Sequence, residues 1–148
     1  MLVAGVDEVG RGSLAGPVTA AAVILTPKIR IEGLKDSKSL SFKKRESLDK
    51  QIKQHSVCWN IVSISPKTID SINILQATLL AMEKAVLGLK LIPERAIFDG
   101  LYKPDIPIDS LALVKGDEKC RSIMAASIIA KVARDRFMIS IDKRVKRY

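Results

Sequence analysis

The sequence predicts a mixed α/β domain, because apolar stretches of strand length alternate irregularly with amphipathic stretches of helix length. Three strands are expected early in the chain, followed by two short strands separated by helices. The expected strands are 2–6, 18–25, 57–65, 95–98 and 111–114, and the expected helices are 42–54, 74–87 and 122–143. At 148 residues, the chain is long enough to bury one core in a single domain, 1–148.

The first expected strand ends in two adjacent carboxylates. Residues 2–6 are small or apolar without interruption, which is typical of a strand buried on both faces. Asp7 and Glu8 follow directly. Because successive strand side chains point to opposite faces, we do not expect both carboxylates to enter one site unless the strand twists or bulges. A buried carboxylate at this position needs a cation or strong hydrogen-bond donors.

A glycine-rich connection leads from the first strand to the second. Gly10 and Gly12 flank Arg11, and glycine allows a backbone to approach a ligand closely. Exposed N–H groups beside Arg11 would suit a phosphate group. The alternative on spacing alone is a solvated turn without a ligand. The tight connection also predicts that strand 18–25 pairs with the first strand in antiparallel orientation.

Capping residues and apolar spacing predict the first two helices. Ser41 is a suitable N-cap for the basic helix 42–54, and Asn73 for the helix 74–87, which Gly88 ends. The second helix carries apolar residues at a spacing of three to four, namely Leu75, Leu79, Met82 and Val86.

The middle of the chain offers few residues for histidine or cysteine chemistry. Strand 57–65 is interpreted as carrying Trp59 into the core, and His55 is expected at the surface. Because His55 is the one histidine and Cys58 and Cys120 lack metal-ligand spacing, the composition argues against a histidine-based metal site and against Ser-His-Asp catalysis.

The charge balance indicates a polyanionic partner. The chain has 25 lysines and arginines against 16 acidic residues, a net charge of +9, which suits nucleic acid or an acidic membrane surface. The apolar stretches are too short to span a membrane, and the N-terminus lacks the pattern of a signal peptide. With two cysteines and no disulfide framework, we expect a reduced, cytoplasmic protein, and a monomer.

Three aspartates at the ends of expected strands predict a metal site. Asp7, Asp99 and Asp117 each follow a short apolar run, and ligands gather at strand ends in open α/β sheets. Glu8 lies beside them, and the sequence leaves open whether it is a direct ligand. Oxygen ligands without histidine or cysteine favour Mg²⁺ or Mn²⁺ over zinc. Such a cluster in a basic protein suggests phosphodiester hydrolysis with two metal ions.

Five motifs, in this order along the chain, carry a resemblance to a known family. They are Asp7-Glu8-Val9-Gly10-Arg11-Gly12, residues 34–40 around Asp36-Ser37-Lys38, residues 72–78, Phe98-Asp99-Gly100, and Lys115-Gly116-Asp117 with the helix after it. Together they cover the chain from residue 3 to about residue 136. In these motifs the chain resembles the type 2 ribonucleases H, ribonuclease HII.

This resemblance implies a fold, an activity and a set of site residues. The fold would be the ribonuclease H-like mixed five-stranded sheet with flanking helices. The activity would be hydrolysis of the RNA strand of RNA–DNA hybrids, and nicking on the 5′ side of ribonucleotides embedded in duplex DNA, with 3′-hydroxyl and 5′-phosphate products. The metal-binding catalytic residues would be Asp7, Glu8, Asp99 and Asp117, and the substrate-binding residues would be Gly10, Arg11, Gly12, Ser37 and Lys38.

Other charged residues are interpreted as structural or solvated. Lys43, Lys44 and Arg45 are looser phosphate-binding candidates, but a solvated helix face is the favoured interpretation. Asp135 matches a family pattern, and its helical position suggests a structural ion pair. Asp105 and Asp109, in a proline-rich stretch, are expected to be solvated, and Asp36 to hold its own loop.

The chain differs from the family pattern near its last residue. The family continues into a glycine- and tyrosine-bearing segment, and Tyr148 matches the start of that segment. By this resemblance the chain would be the catalytic domain of the family without its C-terminal part, and one alternative is therefore a nucleic-acid-binding protein with impaired turnover. A second, separate alternative is a related metal-dependent nuclease such as a Holliday-junction resolvase. The Gly10–Gly12 motif favours ribonuclease HII over the resolvase.

Overall fold

A five-stranded mixed sheet organises the part of the chain that the structure describes. The computed structural model describes residues 1–11, 16–34 and 40–146. The strand order is β3-β2-β1-β4-β5, in which β1, β2 and β3 pair antiparallel and β4 and β5 extend the sheet in parallel. The strands are β1 Val3–Val9, β2 Val18–Ile24, β3 Cys58–Ile64, β4 Arg95–Asp99 and β5 Asp109–Leu113. All five expected strands and the antiparallel first pair are confirmed.

Helices cover both faces of this sheet. They are α1 Phe42–His55, α2 Pro66–Ile72, α3 Ile74–Leu87, α4 Gly116–Lys119 and α5 Arg121–Lys146. One face packs against α3, whose buried residues form one core with the alternate side chains Ala20 and Ala22 of β2. The intervening side chains of β2, Ala21 and Val23, pack with α1 and α5 in a second core. Every residue of β2 is therefore buried.

The expected helix caps are present. Ser41 Oγ accepts a hydrogen bond from Lys44 N at 3.3 Å, and Asn73 Oδ1 accepts one from Gln76 N at 3.0 Å. Gly88 ends α3. Side-chain acceptors at these positions satisfy N–H groups that have no partner within the helix.

The short helices α2 and α4 were not expected from the sequence. In α2, Ser65 Oγ accepts a hydrogen bond from Thr68 N at 3.3 Å, and Pro66 occupies the first turn. Proline is favoured there because the first N–H groups of a helix are unpaired in any case. A serine followed by proline was thus a helix start.

Trp59 is a second correction, because it was expected in the core and is 39% exposed. Its strand, β3, is one of the two edge strands of the sheet. Lys53 Nζ of α1 lies 4.9 Å from the centre of the Trp59 ring, a cation–π distance. The expected surface position of His55 is confirmed. Asp109 is exposed as expected, but it begins β5 and pairs with Arg95 at 2.8 Å.

The long helix α5 approaches β1 very closely at Gly5. A Cβ atom at this position would lie 2.3 Å from both Ile123 N and the carbonyl carbon of Ser122. These are backbone atoms, which a rotamer change does not move, so the close approach requires glycine. The contact fixes the beginning of α5, and with it the preceding helix α4, over the ends of β1 and β4.

Ion pairs join α1 to α5. Asp49 of α1 is buried and lies 3.2 Å from Lys53 Nζ and 3.7 Å from Arg136 Nη1 of α5. Arg136 Nε also pairs with Glu46 at 3.1 Å. These contacts set which face of α1 points toward the sheet.

No helix in the described ranges is long and apolar enough to cross a membrane.

Candidate metal centre

Three carboxylates converge at the end of the sheet where β1 and β4 meet α4. Asp7, Asp99 and Asp117 each offer one oxygen, and these oxygens all lie within 4.8 Å of one another. Asp7 is 4% exposed, and the other two are half-buried. Among the residues that the structure describes, this is the one group of three or more histidine, cysteine or acidic side chains that could hold a metal ion.

Strand register brings Asp7 and Asp99 together. The parallel pairing of β1 with β4 runs from Val3 opposite Arg95 to Val6 opposite Phe98, so Asp7 and Asp99 are the next residues in register. Asp7 was expected to end its strand, but β1 continues to Val9 while β4 ends at Asp99. The end of the shorter strand therefore lies beside the middle of the longer one.

A backbone turn brings Asp117 to the cluster. Asp117 was expected directly at the end of a strand, but it lies four residues beyond β5, on α4. Lys115 has left-handed backbone angles (φ 55°), and the next residue, Gly116, donates its N–H to Asp99 Oδ1 at 2.6 Å. This hydrogen bond ties α4 to the end of β4.

Burial and mutual repulsion define the electrostatics of the cluster. Burial raises the pKa of Asp7 well above its usual range, and the charges of Glu8 and Asp99 raise it further. The charge of Asp117 adds to this, whereas the hydrogen bond that Asp7 Oδ1 accepts from Glu8 N at 2.8 Å lowers the pKa. Carboxylates gathered in this way repel one another unless a cation lies between them. The donor set therefore fits a hard divalent cation.

Glu8 lies beside the cluster but is not one of the three converging carboxylates. It follows Asp7 in β1, so its side chain leaves the sheet on the α3 face. Burial and then the charge of Asp99 raise the pKa of Glu8, and the guanidinium of Arg11 lowers it. Glu8 and Arg11 line a small cavity that also contains Asp99, Thr78 and Tyr102.

A second cavity, of about 200 Å³, opens beside the cluster near α1 and α5. It is lined by Glu8, Val9, Arg45, Asp117, Ser127, Ile128 and Lys131. Arg45 Nε is buried and has no hydrogen-bond partner among the residues that the structure describes. Lys43 and Lys44 are exposed as expected for a solvated helix face, but Arg45 is half-buried and departs from that expectation.

The sequence held a signal for the different position of Arg45. Arg45, Leu48 and Ile52 follow one another at spacings of three and four, and both apolar members of this series are buried. Such spacing places all of them on the helix face that packs inward.

The structure describes only some of the candidate substrate-binding residues. Gly10 and Arg11 are described, and Arg11 is exposed, whereas Gly12, Asp36, Ser37 and Lys38 lie outside the described residues. The ion pair expected at Asp135 is confirmed. Its partner is Lys131, one turn earlier in α5, at 3.0 Å.

Sequence comparison places this chain among close relatives. The sequence profile of the ribonuclease HII family matches residues 4–148. The ribonuclease HII of Vibrio campbellii is 54% identical over 147 residues, which are 99% of this chain and 69% of the relative. That of Vibrio parahaemolyticus is 53% identical over the same length, with 99% of this chain and 70% of the relative covered.

Solved structures of ribonucleases H from other organisms superpose on this chain. The ribonuclease H2 of Pyrococcus horikoshii superposes with a TM-score of 0.85 at 30% identity, over 98% of this chain and 77% of that one. The RNase HII of Archaeoglobus fulgidus, solved in complex with PCNA, gives a TM-score of 0.84 at 31% identity, over 98% and 78%. A more distant RNase HIII, solved with Mn²⁺, shares the fold with a TM-score of 0.74 at 24% identity, over 99% and 56%.

These comparisons confirm the expected ribonuclease H-like fold. Together, the profile match and the curated relatives show that this chain belongs to the ribonuclease HII family and is an endoribonuclease of the ribonuclease H type.

Proposed function

We propose that this protein hydrolyses the RNA strand of RNA–DNA hybrids and nicks duplex DNA on the 5′ side of an embedded ribonucleotide. The observation that carries the proposal is the convergence of Asp7, Asp99 and Asp117 within 4.8 Å, in a chain of net charge +9. Carboxylates facing a polyanion are unfavourable without a cation between them. A metal-dependent reaction at a phosphodiester is the chemistry that needs both features.

The proposed cofactor is Mg²⁺ or Mn²⁺, held by Asp7, Asp99 and Asp117, with Glu8 as a fourth ligand or a close neighbour. When bound, such ions activate water and stabilise the leaving oxygen of a phosphodiester, without a covalent protein intermediate. The hydrogen bonds from Glu8 N to Asp7 and from Gly116 N to Asp99 support this assignment. They fix the rotation of both carboxylates before any cation binds, which lowers the cost of ordering the site.

Two groups of residues are proposed to bind the substrate. Gly10, Arg11 and Gly12 would contact the nucleotides at the RNA–DNA junction, where the 2′-hydroxyl distinguishes RNA from DNA. Ser37, Lys38 and Arg45 would contact phosphates. The positions of the described members support this: Arg11 lines the cavity on the α3 side of the cluster, and Arg45 lines the cavity beside α5. A strand crossing the cluster would meet a guanidinium on each side.

The cellular setting is proposed on simpler grounds. Cys58 and Cys120 are free thiols, which supports a reducing compartment such as the cytoplasm. Incision at embedded ribonucleotides would serve ribonucleotide excision repair. The expected monomeric state stays a prediction, and size-exclusion chromatography with light scattering would test it.

One incubation tests the proposed activity. The protein is mixed with Mg²⁺ and a labelled DNA duplex that contains one ribonucleotide, and we expect a nick at the 5′ side of that ribonucleotide. An all-DNA duplex of the same sequence is the control and should stay intact. Binding without a nick would indicate the impaired nucleic-acid-binding protein, and cleavage of a four-way DNA junction in preference to the ribonucleotide duplex would indicate the resolvase.

A further inference from the structure

Arg134 of α5 is a buried cation that contacts both ends of the Gly10–Gly16 segment. The residue is 8% exposed. Its Nε donates a hydrogen bond to the carbonyl oxygen of Pro17 at 3.0 Å, across 117 positions of the sequence. Pro17 directly follows the segment and directly precedes β2.

The two terminal glycines of the segment make room for this one side chain. A Cβ at Gly10 would lie 2.4 Å from Arg134 Nε, and a Cβ at Gly16 would lie 2.7 Å from Met138 Sδ and 3.1 Å from Arg134 Nη2. Both glycines also have positive φ angles, 96° and 90°, which residues with a Cβ rarely adopt. Gly10 therefore allows both the turn and the close approach of the guanidinium, and Gly16 allows the turn and the approach of Met138 and Arg134 together.

A buried guanidinium is a costly way to fill this space. Removing a charged group from water is unfavourable unless its donors find good acceptors, and an apolar side chain of similar length would pack there without that cost. The planar guanidinium offers something that an apolar residue lacks, because it can donate a directed hydrogen bond and pack closely against backbone at the same time. Here Nε donates to the carbonyl oxygen of Pro17 and lies against the backbone of Gly10, at the other end of the segment.

We propose that Arg134 is a positioning residue, which holds Gly10 and Pro17 in fixed relation and thereby fixes Arg11 beside the metal centre. The preference for a ribonucleotide would then depend on Arg134, although its side chain contacts the loop ends and not the three carboxylates. This second part rests on the proposed function. The first part, the fixing of Arg11, does not.

Limited proteolysis tests the first part without any substrate. Trypsin cuts after arginine, so release of the peptide 1–11 reports how often the exposed Arg11 reaches an open conformation. In Arg134→Met we expect this cut at least about tenfold faster than in the wild type, because a hydrogen bond from a charged donor to a buried carbonyl is lost. Arg134→Lys should be intermediate, since an ammonium can still donate to the Pro17 carbonyl but lacks the planar group that packs against Gly10.

Arg136→Met is the matched control. It removes one arginine from the same helix and one trypsin site, and it breaks ion pairs to α1 and not a contact to the Gly10–Gly16 segment. We expect a lower melting temperature and an unchanged rate of cleavage after Arg11. If both variants accelerate that cut in proportion to their loss of melting temperature, Arg134 is merely structural and the proposal is overturned.

Kinetics test the second part. For Arg134→Met, we expect kcat/KM on the duplex with one ribonucleotide to fall at least about tenfold more than on a continuous RNA–DNA hybrid, mainly through KM. The Mg²⁺ concentration that gives half-maximal rate should not change. An equal loss on both substrates would overturn the role in preference. If the wild type cleaves neither substrate, the proposed function fails, while the proteolysis result still decides whether Arg134 positions Arg11. Should Arg134→Met not fold, Arg134→Lys carries both measurements.

Discussion

Asp7 and Asp99 occupy the same register position on two neighbouring parallel strands, so both carboxylates leave the sheet on the face that α5 covers. Side chains at paired positions of parallel strands point to the same face. Because β4 ends at Asp99 while β1 continues, Gly116 and Asp117 have space to fold over the end of β4. The cluster is thus a consequence of unequal strand lengths.

The first prediction concerns the charge of Asp7. Asp7→Asn should lower Mg²⁺-dependent cleavage at least about a thousandfold, because a metal ion contributes several kcal/mol of transition-state stabilisation. Binding to duplex should persist or strengthen, since a negative charge facing phosphates is removed. Single-turnover cleavage and fluorescence anisotropy measure the two effects. Asp105→Asn, at an exposed position, is the control and should behave like wild type. An Asp7→Asn protein within tenfold of the wild-type rate would rule out the proposed centre.

A second prediction uses the repulsion within the cluster. Burial raises the pKa of Asp7, so the ionised carboxylate destabilises the fold when no cation is present. Mg²⁺ at about 100 times its dissociation constant should stabilise the protein by about 2.7 kcal/mol, or roughly 5–10 °C in melting temperature. Asp7→Asn should melt higher than wild type in EDTA and should lose most of the Mg²⁺-induced shift. A shift of the same size in both proteins would place the cation elsewhere.

The sequence predicted which residues form the metal centre better than it predicted how the backbone places them. Asp7, Asp99 and Asp117 were recognisable because each follows a short apolar run in a basic chain, and the resemblance supported all three. The turn that carries Asp117 could not be predicted from the sequence. It depends on the left-handed backbone of Lys115 and on the hydrogen bond between Gly116 and Asp99, two residues that are far apart in the sequence and meet only when the chain folds.

Errors elsewhere also came from tertiary context. Trp59 was assigned to the core by its hydrophobicity, but strand order decides exposure, and β3 lies at the edge of the sheet. Arg45 was grouped with Lys43 and Lys44 because all three are basic. Its position around the helix axis differs from theirs, so its side chain lies toward the cavity while theirs are exposed. Hydrophobic periodicity gave the five strands and the three longer helices, whereas the short helices α2 and α4 and the exposure of single side chains depended on local caps and on neighbours in space.

A third prediction decides how Glu8 acts. Its side chain leaves β1 on the α3 face, near Arg11, and it is not among the three converging carboxylates. If Glu8 orients the metal ligands without binding the metal itself, Glu8→Gln should lower activity by about 10- to 100-fold. It should also raise the Mg²⁺ concentration that gives half-maximal rate. Cleavage is measured across a Mg²⁺ titration. A loss as large as that of Asp7→Asn at saturating Mg²⁺ would make Glu8 a direct ligand.

The fourth prediction concerns the contact between β1 and α5. In Gly5→Ala the new Cβ would meet backbone atoms of Ser122 and Ile123 at 2.3 Å, so α5 must move. We expect a destabilisation of about 1–3 kcal/mol, as for other overpacked cores, and a smaller Mg²⁺-induced shift in melting temperature because α4 moves with α5. Gly33→Ala is the comparison, since a Cβ there has open space and meets only the strain of its positive φ. It should keep the full Mg²⁺-induced shift, and equal losses in both variants would contradict the proposed coupling.

The last prediction separates Arg45 from the general positive charge of the chain. Binding to duplex should weaken with salt, with a slope of about 0.9 per phosphate neutralised on B-DNA. Arg45 lines the cavity beside the cluster together with Asp117 and Lys131, and within the described residues its Nε has no hydrogen-bond partner, so we expect its guanidinium to be available to a phosphate at the cluster. Arg45→Gln should therefore weaken binding on all duplexes alike and reduce the salt slope by about one.

Lys50→Gln tests whether this effect belongs to the position of Arg45. Lys50 is an exposed cation on the same helix, and it does not line the cavity beside the cluster. It contributes to the net charge as much as Arg45 does, so a purely long-range effect would be the same in both variants. We expect the salt slope of Lys50→Gln to stay within experimental error of the wild type, measured by anisotropy from 50 to 200 mM salt. Equal slopes for Arg45→Gln and wild type would show that Arg45 contacts no phosphate.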